Sequence, residues 1–568
     1  MKKILSVILC IAMLFSLTAL CASAEGATLK MTVASDLHYN AKASAAALVS
    51  KRNSISADFF HASPDGGLPA ESYAILTAFM EKAKTESSDY LLLTGDLADG
   101  GVITTHEAIA AMLKDFEETT GKKVFVVPGN HDLYATSSKE FISLYNDFGY
   151  GEAIARDSAS NSYVAELKGN YRLLVIDSTN PGESEHGMTA ERVAWVEAQC
   201  KKAKADGKYL IAAMHHNLID RISAAAFIHK EDAVDADLNL GDVLADNDVK
   251  YIFTGHSHNQ DISAFLSGNG NTLYEVVTGS LTTYPVPYRI VSFGTQTDIQ
   301  TKNIDKIDVS LVPDGISSTA YNLMKSDFAA YVHTCFKVGV NQATLDVTDP
   351  DTIRKQLNIN AGEFPEASKI ADQVITRMSD AMRMPLYLKD EVVAGQSIER
   401  LLDAYDVLLP QTECKTMTEL TALFYEDFTA GDENYPLYTY EVFAFTRGLA
   451  AVLNYGLEDL TAEEYCIMMS YLTSYSGYTI PEEFLTNIGD GVVRFKGIET
   501  YIATFITPVV AKITVDEAPA DNDAVLTGYE PAPTSEEPAK EKSFWDKIAD
   551  FFKGIYDYFM SIFSYFDR

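Results

Sequence analysis

Five short polar segments, far apart along the chain, each follow an apolar run with strand character. Asp36-Leu37-His38 follows KMTVAS, Gly95-Asp96 follows YLLLT, and Gly129-Asn130-His131-Asp132 follows KVFVVP. His215-His216 follows YLIAAM, and Gly255-His256-Ser257-His258 follows YIFT. Short runs rich in Val, Ile, Leu, Tyr and Phe read as buried strands. Helical patterns separate them, so the strands are predicted to run parallel within a layered α/β domain. Open α/β sheets collect ligands outside the carboxyl ends of their strands. The carboxylate, amide and imidazole groups are therefore predicted to gather at one edge.

The helical patterns are Ser72 to Lys84, Thr105 to Glu118, Thr189 to Ala205 and Leu238 to Asp246, each with apolar residues on one face. SYVAEL, YRLLVIDS, LYEVVTGS and YRIVSFG read as further strands. The polar stretch Tyr39 to Ala70 is too long for an ordinary loop and reads as an insertion near the site. Together residues 25–300 are predicted to form one α/β domain. From 301 to 514 strand runs thin out, and helices are expected at Ala320–Phe336, Glu366–Arg383, Ile398–Leu409, Met417–Phe428, Leu437–Leu453 and Thr461–Thr473. A chain of 568 residues is long enough for two or more such domains.

The ends carry different signals. Lys2 and Lys3, the apolar stretch Ile4 to Leu20, and Ala22-Ser23-Ala24 fit a Sec-type signal peptide over 1–24, cleaved after Ala24. This places the mature protein outside the cytosol, secreted or associated with the cell envelope. The alternatives are a lipoprotein at Cys21, disfavoured by the bulky Leu20, and an uncleaved anchor. Residues 515–541 read as a linker rich in proline and acidic residues. Residues 542–568 form an amphipathic, aromatic-rich pattern, with Phe544, Ile548, Phe551, Ile555 and Phe559 on one stripe. Two readings of this helix stand side by side: contact with a membrane surface, or folding back on the protein. Cys200, Cys335, Cys414 and Cys466 read as isolated buried thiols.

The net charge of −35 argues against a nucleic-acid duplex as partner. Bound cations would reverse that potential locally. The motif residues can supply them with ligands. Asp96 is the natural bridging carboxylate, able to give one oxygen to each of two ions. Asp36 and His38, two apart on an extended chain, would point to the same face. Asn130 offers an amide oxygen, and His215, His256 and His258 complete the set. Mixed nitrogen and oxygen donors suit a pair of divalent transition ions, Mn, Fe or Zn, better than Mg or Ca.

The order DxH, GD, GNHD, H, GHxH resembles that of the calcineurin-like metallophosphoesterases, over residues 36–258, a little under half the chain. The resemblance implies a β-sandwich flanked by helices. It implies that Asp36, His38, Asp96 and His258 hold one ion, and that Asp96, Asn130, His215 and His256 hold the other. A hydroxide bridging the ions would attack phosphorus. His131 would donate a hydrogen bond or a proton to the leaving oxygen, and Asn130 and His131 would touch the substrate. Asp99 resembles the carboxylate that orients this histidine, with Asp132 as the alternative. His216, beside the ligand His215, would contact substrate or support the ligands. DxH in place of DxG, and no tyrosine directly after GDLAD, make the chain more similar to the cyclic-nucleotide and glycerophosphodiester phosphodiesterase branch than to purple acid phosphatases. The expectation is an extracytoplasmic hydrolase acting on a small phosphorylated substrate, a phosphodiesterase first and a phosphomonoesterase as the alternative. An envelope binding or scaffold protein with a vestigial site is the alternative from another class. His61, His106, His186, His229 and His333 fit no motif and read as surface or core residues.

Overall fold

The computed structural model describes residues 29–41, 67–219, 233–234, 238–347, 349–351, 365–436, 438–461, 488–489, 492–493 and 518–529, with residues 463, 464, 467 and 514 between them. The signal segment, most of the 39–70 insertion with His61, His229, Cys466 and the terminal amphipathic pattern lie outside the described residues.

The chain opens with β1 (Leu29–Ala34), α1 (Ser72–Thr85), β2 (Tyr90–Leu93), α2 (Ile103–Thr120), β3 (Lys123–Val126) and α3 (Ser138–Leu144). Then come β4 (Ala153–Arg156), β5 (Tyr163–Glu166), β6 (Tyr171–Val175), α4 (Ala190–Ala205), β7 (Tyr209–Ala213), α5 (Leu240–Asp246) and β8 (Tyr251–Thr254). The strands β9 (Asp261–Leu266), β10 (Thr272–Val277), β11 (Pro287–Phe293) and β12 (Gln296–Asn303) complete this half. Helices α6 (Ser318–Ser326), α7 (Phe328–Val347), α8 (Pro365–Met382), α9 (Ile398–Asp403), α10 (Met417–Ala430) and α11 (Tyr440–Leu457) follow. Last are the two-residue strands β13 (Ile488–Gly489) and β14 (Val492–Val493), and β15 (Ala524–Thr527).

Two sheets face each other. One has the order β15-β12-β11-β1-β2-β3, the other β4-β5-β6-β7-β8-β10-β9. Within them β1, β2 and β3 run parallel, as do β6, β7, β8 and β10. This is the expected sandwich flanked by helices. Alternation along the second sheet explains its unbroken apolar runs. Leu173, Ile211, Tyr251 and Phe253 point into the space between the sheets, packed with Met31, Leu91 and Val124. Leu174, Leu210 and Ile252 point the other way, onto Val193, Val196 and Cys200 of α4 and Leu240 and Leu244 of α5. Both faces are buried, so the period-two signal vanishes from the sequence.

The second half is helical among its described residues, with its own core of Leu386, Leu402, Met417, Leu420, Phe424, Val442 and Phe445. The single helix expected over 320–336 is two. Asp327 leaves helical geometry at φ −155° and its carboxylate accepts from Ala330 N at 3.0 Å, capping a new helix. The helix expected over 398–409 stops at Asp403, and α3 has no counterpart in the sequence reading. Ser137 and Glu140 start α3 with a reciprocal cap.

The helical half is stitched to loops at the carboxyl edge of the sandwich. Tyr331 of α7 donates to Glu71 at 2.7 Å, and Thr429 O at the end of α10 accepts from Gln260 N at 3.1 Å. The Tyr284 ring packs, tilted, against Phe336 of α7, with centroids 5.3 Å apart. The segment read as a linker is ordered in part. Its residues 524–527 form the edge strand β15 on β12, Asp521 accepts from Ile262 N, and the Tyr529 hydroxyl meets Leu210 O. Polar composition hid this, because the segment folds only by adding to an existing sheet edge. Residues 530–568 form a second unit, outside the described residues. Cys200 and Cys414 are free thiols, Cys200 buried, and Cys335 is buried as well. Among the described residues no helix is long and apolar enough to cross a membrane.

Candidate metal centre

All five motif segments sit at the carboxyl ends of β1, β2, β3, β7 and β8. The backbone does not leave these strands as an extended chain. Asp36, His38, Asp96, His256 and His258 have φ of 50°, 37°, 48°, 67° and 59°. They make up five of the nine non-glycine residues with left-handed backbone among the described residues. Such conformations are uncommon and cluster at functional sites. Asp36 and His38 therefore converge through two left-handed kinks, which corrects the extended-strand argument given for them. Two glycines are fixed by crowding. A Cβ on Gly95 would collide with the His215 ring, and one on Gly129 with Asp96.

Asp36, His38, Asp96, Asn130 and His215 are all buried. His38 Nε2 lies 2.9 Å from His258 Nε2. Asp36 Oδ1 is 3.4 Å from His258 Nε2 and 3.8 Å from His38 Nε2, and it is buried without a hydrogen-bond partner. The other oxygen, Oδ2, accepts from Ser35 Oγ and from His256 N. On the other side, His215 Nε2 is 3.3 Å from Asp96 Oδ2 and 3.0 Å from Asn130 Oδ1. Asp96 Oδ2 also lies 3.7 Å from His38 Nε2. Asp96 thus stands between the two groups, as expected of a bridge, but by one oxygen. Oδ1 is occupied by His131 N at 2.9 Å.

The residues fit a pair of cations. The ring nitrogen of His215 that faces away from the cluster, Nδ1, donates to Thr94 O at 2.9 Å. Nε2 of the neutral ring is then a lone pair, facing the lone pairs of Asp96 and Asn130. Donors of one sign packed this closely, with a partnerless buried carboxylate oxygen among them, require protons or metal ions between them. Ligand atoms of Asp36, His38 and His258, of Asp36, Asp96 and His215, and of His38, Asp96 and His131 each lie within 4.8 Å of one another. His256 is outside these three groups. Its ring packs against those of His215 and His216, with centroids 5.1 and 4.4 Å away.

Electrostatics carry the same message. Burial works against charge on His215, yet Asp96 beside it takes its pKa up to about 9. Burial likewise opposes charge on Asp96 and Asp36, but neighbouring histidines hold both carboxyls below the usual range. In His256, burial and then His216 and His215 keep the ring neutral.

Three expectations change. The Asp99 carboxylate serves His38: its Oδ1 lies 3.3 Å from His38 Nδ1 and its Oδ2 accepts from Asn40 Nδ2 at 3.2 Å. The same Oδ1 also lies 3.9 Å from His131 Nδ1, whose hydrogen bond goes to the main-chain oxygen of Asp99. Asp132 does not reach His131. That carboxylate accepts from Ala98 N at 3.0 Å and Gly129 N at 2.9 Å, tying two site loops together. Burial, with Asp96 nearby, raises its pKa to about 7. Nor does His216 face a substrate. Its Nε2 donates to Ser184 O at 3.0 Å, its Nδ1 takes the Ser178 hydroxyl at 2.8 Å, and burial pushes its pKa down to about 3. Both nitrogens are used, so it is a strut beneath the ligands. His106, buried between Tyr145 and Asp132 O, is a core residue as expected.

The sequence reading missed the residues that aim the ligands: Ser35, Asn40, Thr94 through its carbonyl, and Tyr134. All four stand beside a motif, Ser35 and Asn40 flanking Asp36 to His38, Thr94 directly before Gly95 and Tyr134 one helical turn beyond Asn130, but nothing in their residue types marked the contact.

The fold and its site define a two-sheet α/β domain with a dinuclear-type donor set. Residues 29–260 match the family described as calcineurin-like phosphoesterase, and the chain carries a domain of that family. It is 26% identical over 209 residues to a cAMP/cGMP dual specificity phosphodiesterase of Mycobacterium tuberculosis, covering 37% of this chain and 58% of that one. It is 26% identical over 130 residues to a probable glycerophosphodiester phosphodiesterase of Arcobacter nitrofigilis, covering 22% and 41%. The chain thus spans about half the length of the curated relatives it matches. A dimetal phosphatase from Danio rerio aligns in structure with a TM-score of 0.36 and 13% identity, over 49% of this chain and 97% of that one.

Proposed function

We propose that the protein hydrolyses phosphate esters, with phosphodiesters as its preferred class, and that it needs two transition-metal ions. The observation that carries this reading is the position of Asp96 Oδ2 between His38 Nε2 and His215 Nε2, 3.7 and 3.3 Å away. Asp36, His38, Asp96 and His258 would hold one ion. Asp96, Asn130 and His215 would hold the other, with His256 beside them. When bound, such ions supply Lewis acidity toward phosphoryl oxygens and lower the pKa of water toward neutrality.

The chain's own residues then orient the reaction. His131 donates a hydrogen bond from Nδ1–H to Asp99 O, which leaves Nε2 for the substrate side. From there it would donate a hydrogen bond to the transition state or a proton to the departing oxygen. The diester preference is supported by the names of the relatives and by DxH in the first motif. Metal analysis of purified protein, followed by assay with bis-p-nitrophenyl phosphate and p-nitrophenyl phosphate, tests the reading. Faster turnover of the diester supports it, faster turnover of the monoester reassigns the substrate class, and a metal-free, inactive protein leaves only the vestigial site.

The location outside the cytosol rests on the signal-like pattern of residues 1–24. N-terminal sequencing of the mature protein checks it, with Glu25 expected first. Deleting 542–568 is expected to release the protein from membranes with activity kept; unchanged fractionation favours the folded-back helix.

A further inference from the structure

We infer that Tyr134 is a positioning residue: by accepting a hydrogen bond from Asn130 Nδ2, its hydroxyl fixes the amide so that the oxygen faces the metal centre. The inference rests on the two-ion reading above. An asparagine ligand has a weakness that a carboxylate lacks. Its amide can turn over, and the NH2 group then faces the cation and binds nothing. Something must set the orientation.

In this chain the two ends of the amide meet different partners. Oδ1 lies 3.0 Å from His215 Nε2, and Nδ2 lies 2.9 Å from the Tyr134 hydroxyl. The ring of His215 cannot set the orientation by donating from Nε2 while neutral, because its proton is on Nδ1, held by Thr94 O. The phenol oxygen is the group left to receive the N–H. Tyr134 directly follows the short 3-10 turn His131–Leu133, which places it one turn beyond Asn130. Its ring lies 4.7 Å from that of His131, so the same side chain backs the proton donor. It is 39% exposed, so replacing it leaves the core untouched.

The test is Tyr134→Phe, which keeps the ring and removes the acceptor. Chelated protein is titrated with Mn2+ alone, and the affinities of both ions are read by calorimetry and by electron paramagnetic resonance. The variant is expected to bind the first ion as the wild type does and the second about 10-fold to 100-fold more weakly, the usual effect of losing a group that orients a ligand. In an Asn130→Ala background the same change is expected to have no further effect on the second ion, since no amide is left to orient. Unfolding of the chelated variant at the wild-type temperature shows that the fold is kept. Wild-type affinity for both ions in Tyr134→Phe, or equal losses in the two backgrounds, overturns the inference. A wild-type protein that binds fewer than two ions overturns it together with the two-ion reading.

Discussion

The Asp99 carboxylate stands 3.3 Å from His38 Nδ1, while the main-chain oxygen of the same residue accepts from His131 Nδ1. One residue thus braces the His38 imidazole with its side chain and the His131 imidazole with its backbone. The two functions can be separated by substitution. Asp99→Asn is expected to weaken metal binding or activity by about 10-fold to 100-fold and to leave the His131 contact in place. Metal titration beside a pH–rate profile checks this: an altered acid limb with intact metal affinity would mean that the side chain acts on His131.

Asp96 Oδ2 stands between His38 Nε2 and His215 Nε2, 3.7 and 3.3 Å away. Asp96→Asn replaces a charged bridge with a neutral amide, and His215→Ala removes one wall of the second group. Each is expected to lower hydrolysis by at least about 100-fold through lost metal support. Circular dichroism of the chelated proteins is expected to match the wild type. Wild-type turnover with full metal content in Asp96→Asn would remove the bridging assignment.

His216, though adjacent to His215, is a strut. His216→Ala leaves the buried Ser178 hydroxyl without its acceptor, at a cost of about 1–3 kcal/mol, while the carbonyl of exposed Ser184 turns to water. A lower melting temperature with KM unchanged is expected. A raised KM at unchanged stability would restore its substrate role.

The chelated protein should lose stability as pH rises. Burial opposes charge on His215, but Asp96 raises its folded pKa to about 9, above the ordinary value of 6.5. Its contribution is therefore complete below about pH 6.5 and is lost as pH climbs through about 9. Burial raises Asp132 and Glu275 to about 7 from 3.8 and 4.5, so their contributions decline from about pH 4 and are gone once pH passes about 7. Melting temperatures with a chelator are expected to fall from pH 6 to 9.5, and added metal to reverse the fall by displacing the protons. A flat profile would mean that the cluster holds no protons to exchange.

The sequence by itself determined the class of the domain and which polar side chains gather at its strand ends. Hydrophobic runs ending in Asp36, Asp96, Asn130, His215 and His256 encode parallel strands and a common edge, because strand direction and side-chain chemistry are local properties. Tertiary structure alone decided which partner each group meets. That Asp99 faces His38, that Asp132 ties the loop at Ala98 to the loop at Gly129, and that His216 is spent on Ser178 and Ser184 depend on left-handed kinks and on loops brought together from distant positions. The edge strand 524–527 belongs with them: its four residues, AVLT, are too few to signal a strand by themselves and take their form from the open hydrogen bonds of β12. Hydrogen bonds of this kind are chosen by distance and direction in space, which spacing along the chain does not record.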